Sequence, residues 1–437
     1  MKGKVAMKNI FKRIIAGLLV LSSLLLCLSC TQNDDGDDGE DNGLPPIPEI
    51  ADKAKYSDFT LPKEKLEAAL ADAVAKIDLM LPTFTSKFPA HNSVDNVYAA
   101  EGNTGGWNTG FWTGILWHAY EMTGDEKYKT AALGQIPSFY ERIQNKVNVD
   151  HHDMGFLYTP SCVAAYRLTG DETAKQAAIL AADQLVSRFQ EKGEFIQAWG
   201  KMGAENNYRL IVDCLMNIPL LFWATEVTGN QTYKDIAYKH YKTTISVAYR
   251  DDGSTFHTYY FDMKTGKPTK GVTAQGVSDD SAWARGQAWG TYGPLLTYKY
   301  VKDESALSLY KSTANYFLNH LPSDYIAYWD LSFTDGSSEP RDSSSAAIAL
   351  CAMLEGLKYI EKDDPLHGIY TNACKRIMNS LIDQYTTKNN PEANGLLLHG
   401  TYSKPAGNGV DEMLIWGDYF YMEALHRMLD PEWELYW

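Results

Sequence analysis

The 437-residue sequence has few cysteines and fewer basic than acidic residues, and each shortage excludes a class of protein. Beyond residue 30 only Cys162, Cys214, Cys351 and Cys374 remain, with neither paired spacing nor a nearby histidine cluster. Buried free thiols are therefore expected at these positions, and a zinc site is not. With 40 Lys and Arg against 55 Asp and Glu, the net charge of −15 argues against nucleic acid as a partner.

A long hydrophobic run is also missing from the N-terminus, where residues 14–28 are apolar but too few for a comfortable membrane span. Basic residues precede this stretch, and Ser29-Cys30 ends it. The pattern predicts a secretory signal peptide over residues 1–29 and a lipid anchor at Cys30. The anchor would attach the protein to a Gram-negative envelope, on its periplasmic side or outer surface, without spanning a membrane. An ordinary signal peptide with a coincidental cysteine is the alternative.

Residues 30–49 form a predicted tether, because they are acidic, rich in glycine and proline, and have nothing to bury. An acidic run behind a lipidated cysteine resembles the surface-export signal of some Gram-negative lipoproteins, and a plain acidic spacer is the alternative. No second Pro/Gly/Ser linker interrupts the rest of the chain. We therefore expect one large domain over residues 50–437.

A short motif recurs along this domain and divides it into helical hairpins. Thr123-Gly124-Asp125, Thr169-Gly170-Asp171 and Thr228-Gly229-Asn230 each follow an apolar stretch. The glycine suits the end of one helix, and the Asp or Asn suits the cap of the next. About half of the helices are apolar nearly all round and others are amphipathic, which predicts inner and outer layers of an all-α fold. Periodicity does not distinguish an open solenoid from a closed toroid, but tryptophan-rich hairpin loops favour a toroid with a pocket at one end.

Two acids stand beside long apolar runs. Asp153 precedes the run 154–158, and Asp213 lies within the run 210–215. They are too far apart in the sequence to be neighbours on one helix, so they meet only if the fold brings two segments together. Two carboxylates at one site can divide acid and base work, because each raises the cost of ionising the other. The pair predicts the catalytic centre of a carbohydrate-active enzyme.

Aromatic residues are abundant, with 11 tryptophans and 28 tyrosines. Several tryptophans lie in loops beside glycine and polar residues, where core packing explains them poorly. These are Trp107, Trp199, Trp283 and Trp289. Flat rings edged by hydrogen-bonding groups suit sugars, which have an apolar face and a rim of hydroxyls. The set therefore favours a sugar-binding site, although any single tryptophan is as well explained by packing.

Two histidines and an arginine lie close to these candidates. His152 precedes Asp153, and His257 lies within residues 254–262, an aromatic and β-branched stretch that predicts a strand. A polar loop is expected after this strand, over residues 271–281. Arg285 has a planar fork that suits a substrate carboxylate. A structural ion pair is the alternative for Arg285, as ordinary packing is for each histidine.

Together these stretches resemble the unsaturated glucuronyl hydrolases, glycoside hydrolase family 88. The matching motifs occur in family order from about residue 85 to the end of the chain. They are Gly110-Phe111-Trp112, His151-His152-Asp153, Gln197-Ala198-Trp199-Gly200, Asp213-Cys214-Leu215, His257-Thr258-Tyr259-Tyr260, Arg285-Gly286-Gln287, Tyr328-Trp329-Asp330, Arg341-Asp342-Ser343 and Ile415-Trp416-Gly417-Asp418. The resemblance implies an (α/α)6 barrel, in which six helical hairpins close into a toroid.

The resemblance also implies roles for individual residues. Asp213 matches the family's general acid/base, and Asp153 matches a second carboxylate in the same subsite. The positions around the unsaturated sugar correspond to Trp107, Trp199, His257, Gln275, Trp283, Arg285 and Trp289. Thr109 departs from the pattern, because some members carry an aspartate there, and it is expected to tune what lies beyond the cleaved bond. The loop 401–404 matches too loosely to assign.

The implied reaction is hydration of the double bond in the 4,5-unsaturated uronic acid that a polysaccharide lyase leaves at the non-reducing end. Asp213 would give its proton to C4 and then act as the base for water, with no metal or cofactor. It must therefore stay protonated near neutral pH, which Asp153 and the apolar residues around it would favour. Pro219 weakens the case for a helix through Asp213 and suggests a turn before the helix.

Three alternatives compete with this interpretation. Unsaturated rhamnogalacturonyl hydrolases share the barrel and the chemistry but act on pectin fragments. An inverting glycosidase of the same barrel would act on saturated oligosaccharides. A non-catalytic sugar-binding lipoprotein would need the tryptophans but not the acids, so Asp213→Asn would leave its function intact.

Overall fold

The computed structural model describes residues 43–437, which form two concentric layers of helices. The outer helices are α1 (Lys63–Phe84), α3 (Glu126–Gln144), α6 (Glu172–Val186), α8 (Gln231–Val247), α10 (Ser305–Asn319) and α12 (Pro365–Ser380). The inner helices are α2 (Thr109–Thr123), α4 (Met154–Tyr158), α5 (Ala164–Thr169), α7 (Pro219–Thr228), α9 (Ala284–Val301), α11 (Ser343–Gly356) and α13 (Ile415–Leu429). A π-helical turn, Thr159–Val163, joins α4 to α5, so these two act as one inner segment.

The recurring motif ends and starts helices as predicted. In each copy the glycine adopts a left-handed conformation, with φ between 71° and 75°. The residue after it accepts a hydrogen bond from a backbone N–H in the first turn of the next outer helix. The glycines are Gly124, Gly170 and Gly229, and the capping residues are Asp125, Asp171 and Asn230. This punctuation sets the alternation of inner and outer helices.

The inner layer closes on itself, which periodicity alone did not reveal. Phe111 of α2 contacts Tyr419 and Phe420 of α13, with ring centroids 5.3 and 6.0 Å apart. On the other side of α13, the Sγ of Cys351 in α11 lies 3.2 Å from the carbonyl oxygen of Phe420. The first and last inner helices are therefore neighbours, and the described chain forms an (α/α)6 barrel. Its four cysteines are buried free thiols, as predicted.

Short antiparallel sheets decorate the barrel. They pair β1 (Phe88–Pro89) with β2 (Ala100–Glu101), β3 (Phe189–Gln190) with β4 (Phe195–Ile196), and β8 (Gly400–Ser403) with β9 (Asn408–Glu412). A three-stranded sheet has the order β5 (Arg209–Ile211), β6 (Thr258–Phe261), β7 (Pro268–Val272). The strand predicted over 254–262 is confirmed at Thr258–Phe261, which form β6. Gly271 and Val272 belong to β7 because they pair with β6, so the predicted loop begins after them.

The described part of the predicted tether packs against the domain. The backbone carbonyls of Pro46, Pro48 and Glu49 accept hydrogen bonds of 2.7–2.8 Å from polar side chains of α10. These donors are Ser312, Asn315 and Asn319, whose spacing places them on one face of the helix. Residues 46–49 therefore contact α10 within the compact unit Gly43–Trp437, and the predicted domain boundary at residue 50 stays a prediction. The predicted signal peptide and the lipid-acceptor Cys30 lie outside the described residues and stay predictions.

Within residues 43–437 no helix is both long and apolar enough to cross a membrane.

The segments that precede the inner helices all open at the same end of the barrel, because the inner helices run in one direction. Asp153 lies before α4, Asp213 before α7, and Trp283 before α9. The closed barrel thus brings to one place residues that the sequence separates widely.

Candidate active site

A cavity of about 370 Å³ opens at this end of the barrel. Nine of the ten residues predicted for the site line it: Trp107, His152, Asp153, Trp199, Asp213, His257, Gln275, Trp283 and Arg285. The remaining lining residues are Ile211, Ala274, Tyr402, Ser403, Ala406 and Asn408. A shallower depression adjoins the cavity and shares Trp107, Asp153 and Trp199 with it. The fold therefore brings nine of the ten predicted residues to one cavity, and their roles there stay predictions.

Asp213 lies in a 3₁₀ turn, Val212–Met216, between β5 and α7. The turn precedes Pro219, the first residue of α7, as the sequence predicted. Its start is fixed by the backbone N–H of Val212, which donates to the carbonyl of His257 at 3.0 Å. The Oδ1 atom of Asp213 is buried and has no hydrogen-bond partner. The turn therefore places the carboxyl group of Asp213 at the cavity and leaves its Oδ1 without a hydrogen bond from the described part of the protein.

Burial raises the pKa of Asp213 to about 7, and the negative charge of Asp153 acts in the same direction. The positive charge of Arg285 opposes this shift without cancelling it. The shift agrees with the predicted causes, namely apolar surroundings and the second carboxylate. Asp213 consequently keeps its proton in much of the population near neutral pH.

Asp153 has the opposite character. Its two carboxylate oxygens lie 3.1 Å from Nδ1 of His151 and 3.3 Å from Nε2 of His152. Burial alone would raise the pKa of Asp153, but these histidines and the guanidinium of Arg188 lower it below its ordinary value. The site therefore holds one protonated and one ionised carboxyl group, which is the division that acid–base chemistry requires.

The two cavity histidines are neutral. Burial lowers the pKa of His152 to about 4 and that of His257 to about 3. Nδ1 of His257 accepts a hydrogen bond of 3.0 Å from the backbone N–H of Ala274, so Nε2 carries the ring proton. This bond fixes the loop that brings Gln275 to the cavity wall. His257 thus lies in the site as a neutral hydrogen-bonding group.

Comparison with known proteins identifies the family of this chain. The model of glycosyl hydrolase family 88 matches residues 76–431. The chain belongs to glycosyl hydrolase family 88. It is 50% identical over 377 residues to the unsaturated chondroitin disaccharide hydrolase of Streptococcus pneumoniae, covering 86% of this chain and 95% of that protein. It is 40% identical over 363 residues to the unsaturated glucuronyl hydrolase of Bacillus sp. strain GL1, covering 83% and 96%.

Solved structures agree with this assignment. The unsaturated glucuronyl hydrolase of Streptococcus agalactiae superposes with a TM-score of 0.87 at 48% identity, covering 90% of this chain and 99% of that one. A variant of that enzyme in complex with dGlcA-GalNAc6S superposes with a TM-score of 0.80 at 44% identity, covering 90% and 100%. These similarities confirm both the (α/α)6 barrel and a glycoside hydrolase.

The predicted location is wrong. Relatives that are 47–50% identical come from Streptococcus pneumoniae, Streptococcus agalactiae and Streptococcus pyogenes, which are Gram-positive bacteria. This finding contradicts a lipoprotein of a Gram-negative envelope. The prediction relied on N-terminal composition, which describes a short stretch of sequence and carries no information about the family of the folded domain.

Aromatic rings form much of the wall in this family 88 site. Trp107 packs against Trp416 at 4.8 Å between centroids, and its Nε1 donates to the hydroxyl of Tyr402 at 3.3 Å. Trp283 meets His257 edge to face at 4.8 Å. Trp199 lies at the rim and is 46% exposed. The enclosed rings give a flat apolar surface inside the cavity, and Trp199 extends that surface to the outside.

Arg285 forms the structural ion pair that was the alternative to a role as a carboxylate fork. Its Nη1 donates to Oδ2 of Asp342 at 2.8 Å and to the carbonyl of Thr401 at 2.7 Å, and its Nη2 donates to the carbonyl of Tyr402 at 2.6 Å. Three of the five N–H donors of Arg285 are therefore used in hydrogen bonds within the protein. Arg285 holds strand β8 against the barrel and so places Tyr402 at the cavity.

Two expectations for the site are corrected. Trp289 is buried in the barrel core, where it contacts Phe156 and Phe420 at 5.1 and 5.4 Å. It lies six residues beyond Trp283 along α9, which is about 9 Å deeper because a helix rises about 1.5 Å per residue. Thr109 does not line the cavity either, since its hydroxyl donates to Asn103 at 2.8 Å inside the fold.

Two buried arginines, which the sequence analysis did not select, support the loops of the site. Arg142 donates to the carbonyls of Gly106 and Asn148 at 2.7 and 2.9 Å, and thereby fixes the loop that carries Trp107. Arg188 donates to the carbonyls of Gln197 and Gly200 at 2.9 and 3.0 Å, on either side of Trp199.

Arg188 also forms an ion pair with Asp150, three residues before Asp153. Both arginines stand at or just after the end of an outer helix, where nothing local distinguishes them from surface residues. Their partners named above lie 6 to 38 residues away along the chain, and no local pattern marks these pairs, so only the folded barrel shows their function.

Proposed function

We propose that the chain removes a 4,5-unsaturated uronic acid from the non-reducing end of an oligosaccharide by hydrating its C4=C5 double bond. The proposal rests on one observation: Asp213 lines an aromatic cavity, and its buried Oδ1 has no hydrogen-bond partner. With a pKa of about 7, this acid can transfer a proton to carbon near neutral pH. The activities named for the relatives in family 88 support the same reaction.

In the proposed reaction Asp213 donates its proton to C4, and the positive charge that develops at C5 is shared with the ring oxygen. Water then adds at C5 and gives one proton to the Asp213 carboxylate, which restores the acid. The product is a hemiketal whose C5–O5 bond opens, and the hemiacetal left at C1 releases the rest of the oligosaccharide. The glycosidic bond is lost without attack on the anomeric carbon.

Asp153 is proposed to remain ionised during this cycle. Its negative charge raises the pKa of Asp213 and stabilises the positive charge that develops on the sugar ring. Trp107 and Trp283 would hold the ring between apolar surfaces, and neutral His257 and Gln275 would hydrogen-bond its polar rim. No step in this scheme requires a group beyond these side chains and water.

The substrate class follows from the same chemistry. An unsaturated uronic acid is the product of an eliminating polysaccharide lyase, so a reaction of that class must supply the substrate. The relative that is 50% identical is named for chondroitin disaccharides. This supports an unsaturated glycosaminoglycan disaccharide as the substrate of this chain.

The first experiment follows the ultraviolet absorbance of the conjugated carboxylate in lyase-generated disaccharides. The wild type should remove this absorbance and Asp213→Asn should not. Asp418→Asn is the matched control, since burial raises the pKa of Asp418 also to about 7, but its oxygens are occupied by Tyr98 and Leu397 away from the cavity. It should retain activity, which would show that position and not pKa alone defines the acid.

The competing functions give different results in the same assay. Release of saturated sugars without loss of absorbance would indicate an inverting glycosidase. Binding without turnover, unchanged in Asp213→Asn, would indicate a sugar-binding protein. Preference for unsaturated rhamnogalacturonan fragments would assign the chain to pectin degradation.

A further inference from the structure

A row of alternating aromatic and cationic side chains runs outward from the rim of the cavity. The guanidinium of Arg209 lies 3.9 Å from the ring of Trp199 and 5.5 Å from the ring of Tyr260. On the far side of Tyr260, the ammonium of Lys270 lies 5.7 Å from the ring centroid. We call Trp199, Arg209, Tyr260 and Lys270 the cation–aromatic row. Its first member also lines the cavity.

The register of the three-stranded sheet produces this row. Arg209 of β5 pairs with Tyr260 of β6, and Tyr260 pairs with Lys270 of β7, so the three side chains are direct cross-strand neighbours. Ile211, two residues along β5 from Arg209, points to the same face and lines the cavity. The face that carries the row is therefore a continuation of the cavity wall. It spans about 10 Å from Arg209 to Lys270, since neighbouring strands lie about 4.8 Å apart.

The members of the row differ in accessibility. Arg209 is 5% exposed, and its Nη1 donates to the carbonyl of Asn206 at 2.7 Å and to the hydroxyl of Tyr260 at 3.2 Å. Arg209 therefore lies between the rings of Trp199 and Tyr260 and holds them apart. Tyr260 is half-buried and Lys270 is exposed. The groups available to a ligand are the edge of Trp199, the ring of Tyr260 and the ammonium of Lys270.

Charge distinguishes this side of the cavity mouth from the other. The adjoining depression, which shares Trp199 with the cavity, contains Asp150, whose side chain is 71% exposed and paired with Arg188. Among the described residues, the lining of the depression offers no lysine or arginine, so an acidic ligand that leaves the cavity is attracted towards Lys270. The chain as a whole carries a net charge of −15. The positive charge of Lys270 beside the cavity mouth therefore favours a ligand whose anionic group reaches that position.

We propose that the cation–aromatic row is an extension of the active site that binds the second acidic sugar of an unsaturated oligosaccharide longer than a disaccharide. This inference rests on the proposed function, because polymers that yield an unsaturated uronic acid carry uronic acids at regular intervals. A tetrasaccharide product therefore has a further carboxylate beyond its first two sugars. Tyr260 contacts the ring of that sugar, and Lys270 pairs with its carboxylate.

The test compares unsaturated disaccharide and tetrasaccharide substrates of one polymer. Lys270→Gln should lower kcat/KM for the tetrasaccharide by about two- to fivefold, the range of an exposed ion pair, through a higher KM. Lys270→Glu should lower it further, and added salt should reduce the difference from wild type. The disaccharide should be hydrolysed at the wild-type rate by both variants. Lys267→Gln makes the same charge change nearby, outside the row, and should leave both substrates unaffected.

A second measurement keeps this inference separate from the proposed reaction. In the Asp213→Asn background, calorimetry should show tetrasaccharide binding that Lys270→Gln weakens about two- to fivefold and disaccharide binding that it does not change. If the wild type hydrates no disaccharide but this binding difference is found, the proposed function fails and the extension stands. If Lys270 variants affect both lengths equally, or neither length, the extension is disproved whatever the catalytic result.

Discussion

Arg285 and Asp342, both almost completely buried, form an ion pair of 2.8 Å that joins the start of α9 to the start of α11. The second carboxylate oxygen of Asp342 accepts from the hydroxyl of Ser344 at 2.6 Å and caps α11. Because Arg285 also holds strand β8, this one pair connects three segments around the cavity. The wall of the site therefore depends on a contact that lies behind it.

We predict that Asp342→Ala lowers the free energy of unfolding by about 3–5 kcal/mol, since it leaves a buried guanidinium without its partner. Denaturant titration followed by circular dichroism measures this loss. Asp411→Ala is the control, because Asp411 pairs with His399 on the surface, where such pairs contribute below about 1 kcal/mol. Equal stability of the two variants would contradict a structural role for the buried pair.

The two carboxyl groups of the site should be linked in their titration. Because the charge of Asp153 raises the pKa of Asp213, Asp153→Asn should move the pKa of Asp213 below its value of about 7. Titration of the labelled carboxyl carbons by NMR measures this directly and does not depend on activity. In the wild type, activity should fall as the pH rises through about 7, since the proton donor is then lost. A pKa of Asp213 that is the same in Asp153→Asn would refute the coupling.

Local sequence signals identified the acids but not what supports them. Asp153 and Asp213 stand out because polar residues in apolar runs are rare unless they have a function or a partner. Arg285 was found as a candidate, yet its partner Asp342 is far along the chain, and no periodicity links the two. Pairing across a closed barrel depends on tertiary contacts, which one sequence does not display.

The tryptophans show the same limit in another way. Trp283 and Trp289 have similar neighbours, but the helix that begins at Ala284 carries Trp289 away from the cavity mouth. Only the depth of each residue along α9 separates a site residue from a core residue. The recurring glycine motifs were predicted correctly because helix ends are determined by local backbone conformation.

We predict contrasting effects for Trp199→Ala and Trp289→Ala. Trp289 is buried in the core, so its truncation should cost about 3–5 kcal/mol of unfolding free energy. Trp199 is 46% exposed, and its truncation should change stability little but raise KM for the disaccharide about fivefold, equivalent to a loss of about 1 kcal/mol in sugar contact. Denaturant unfolding and steady-state kinetics on both variants check this. A stability loss in Trp199→Ala as large as in Trp289→Ala would reject the assignment.

Arg188 should influence both substrate binding and the charge of Asp153. Arg188→Lys retains the charge but loses the fork that holds the Trp199 loop, so KM should rise about tenfold while the pH profile stays in place. Arg188→Met also removes the charge that lowers the pKa of Asp153, so the acidic limb of the profile should move to higher pH. Arg167→Lys, which alters a contact with the carbonyl of Leu435 far from the cavity, is the control. Identical profiles for the Lys and Met variants would show that Arg188 acts on the loop alone.

The raised pKa of Asp213 should cost stability at the pH where the site functions. Its carboxyl group has an ordinary pKa of 3.8 in the unfolded chain and about 7 in the fold, so the folded state binds the proton more tightly. This contribution to stability is complete below pH 3.8 and is lost as the pH rises through 7. Since one pKa unit corresponds to about 1.4 kcal/mol, the loss is at most about 4 kcal/mol.

Asp213→Asn should therefore unfold at a higher temperature than the wild type at pH 8 and at the same temperature at pH 4. Calorimetric melting of both proteins across this range measures the difference. Asp262→Asn should have the opposite effect and melt at a lower temperature than the wild type at pH 8. Hydrogen bonds from Thr265 lower the pKa of Asp262, so its ionised form stabilises the fold at that pH. If Asp213→Asn melts at the wild-type temperature at every pH, the carboxyl group is not destabilised by its burial, and the proton that the reaction needs must come from elsewhere.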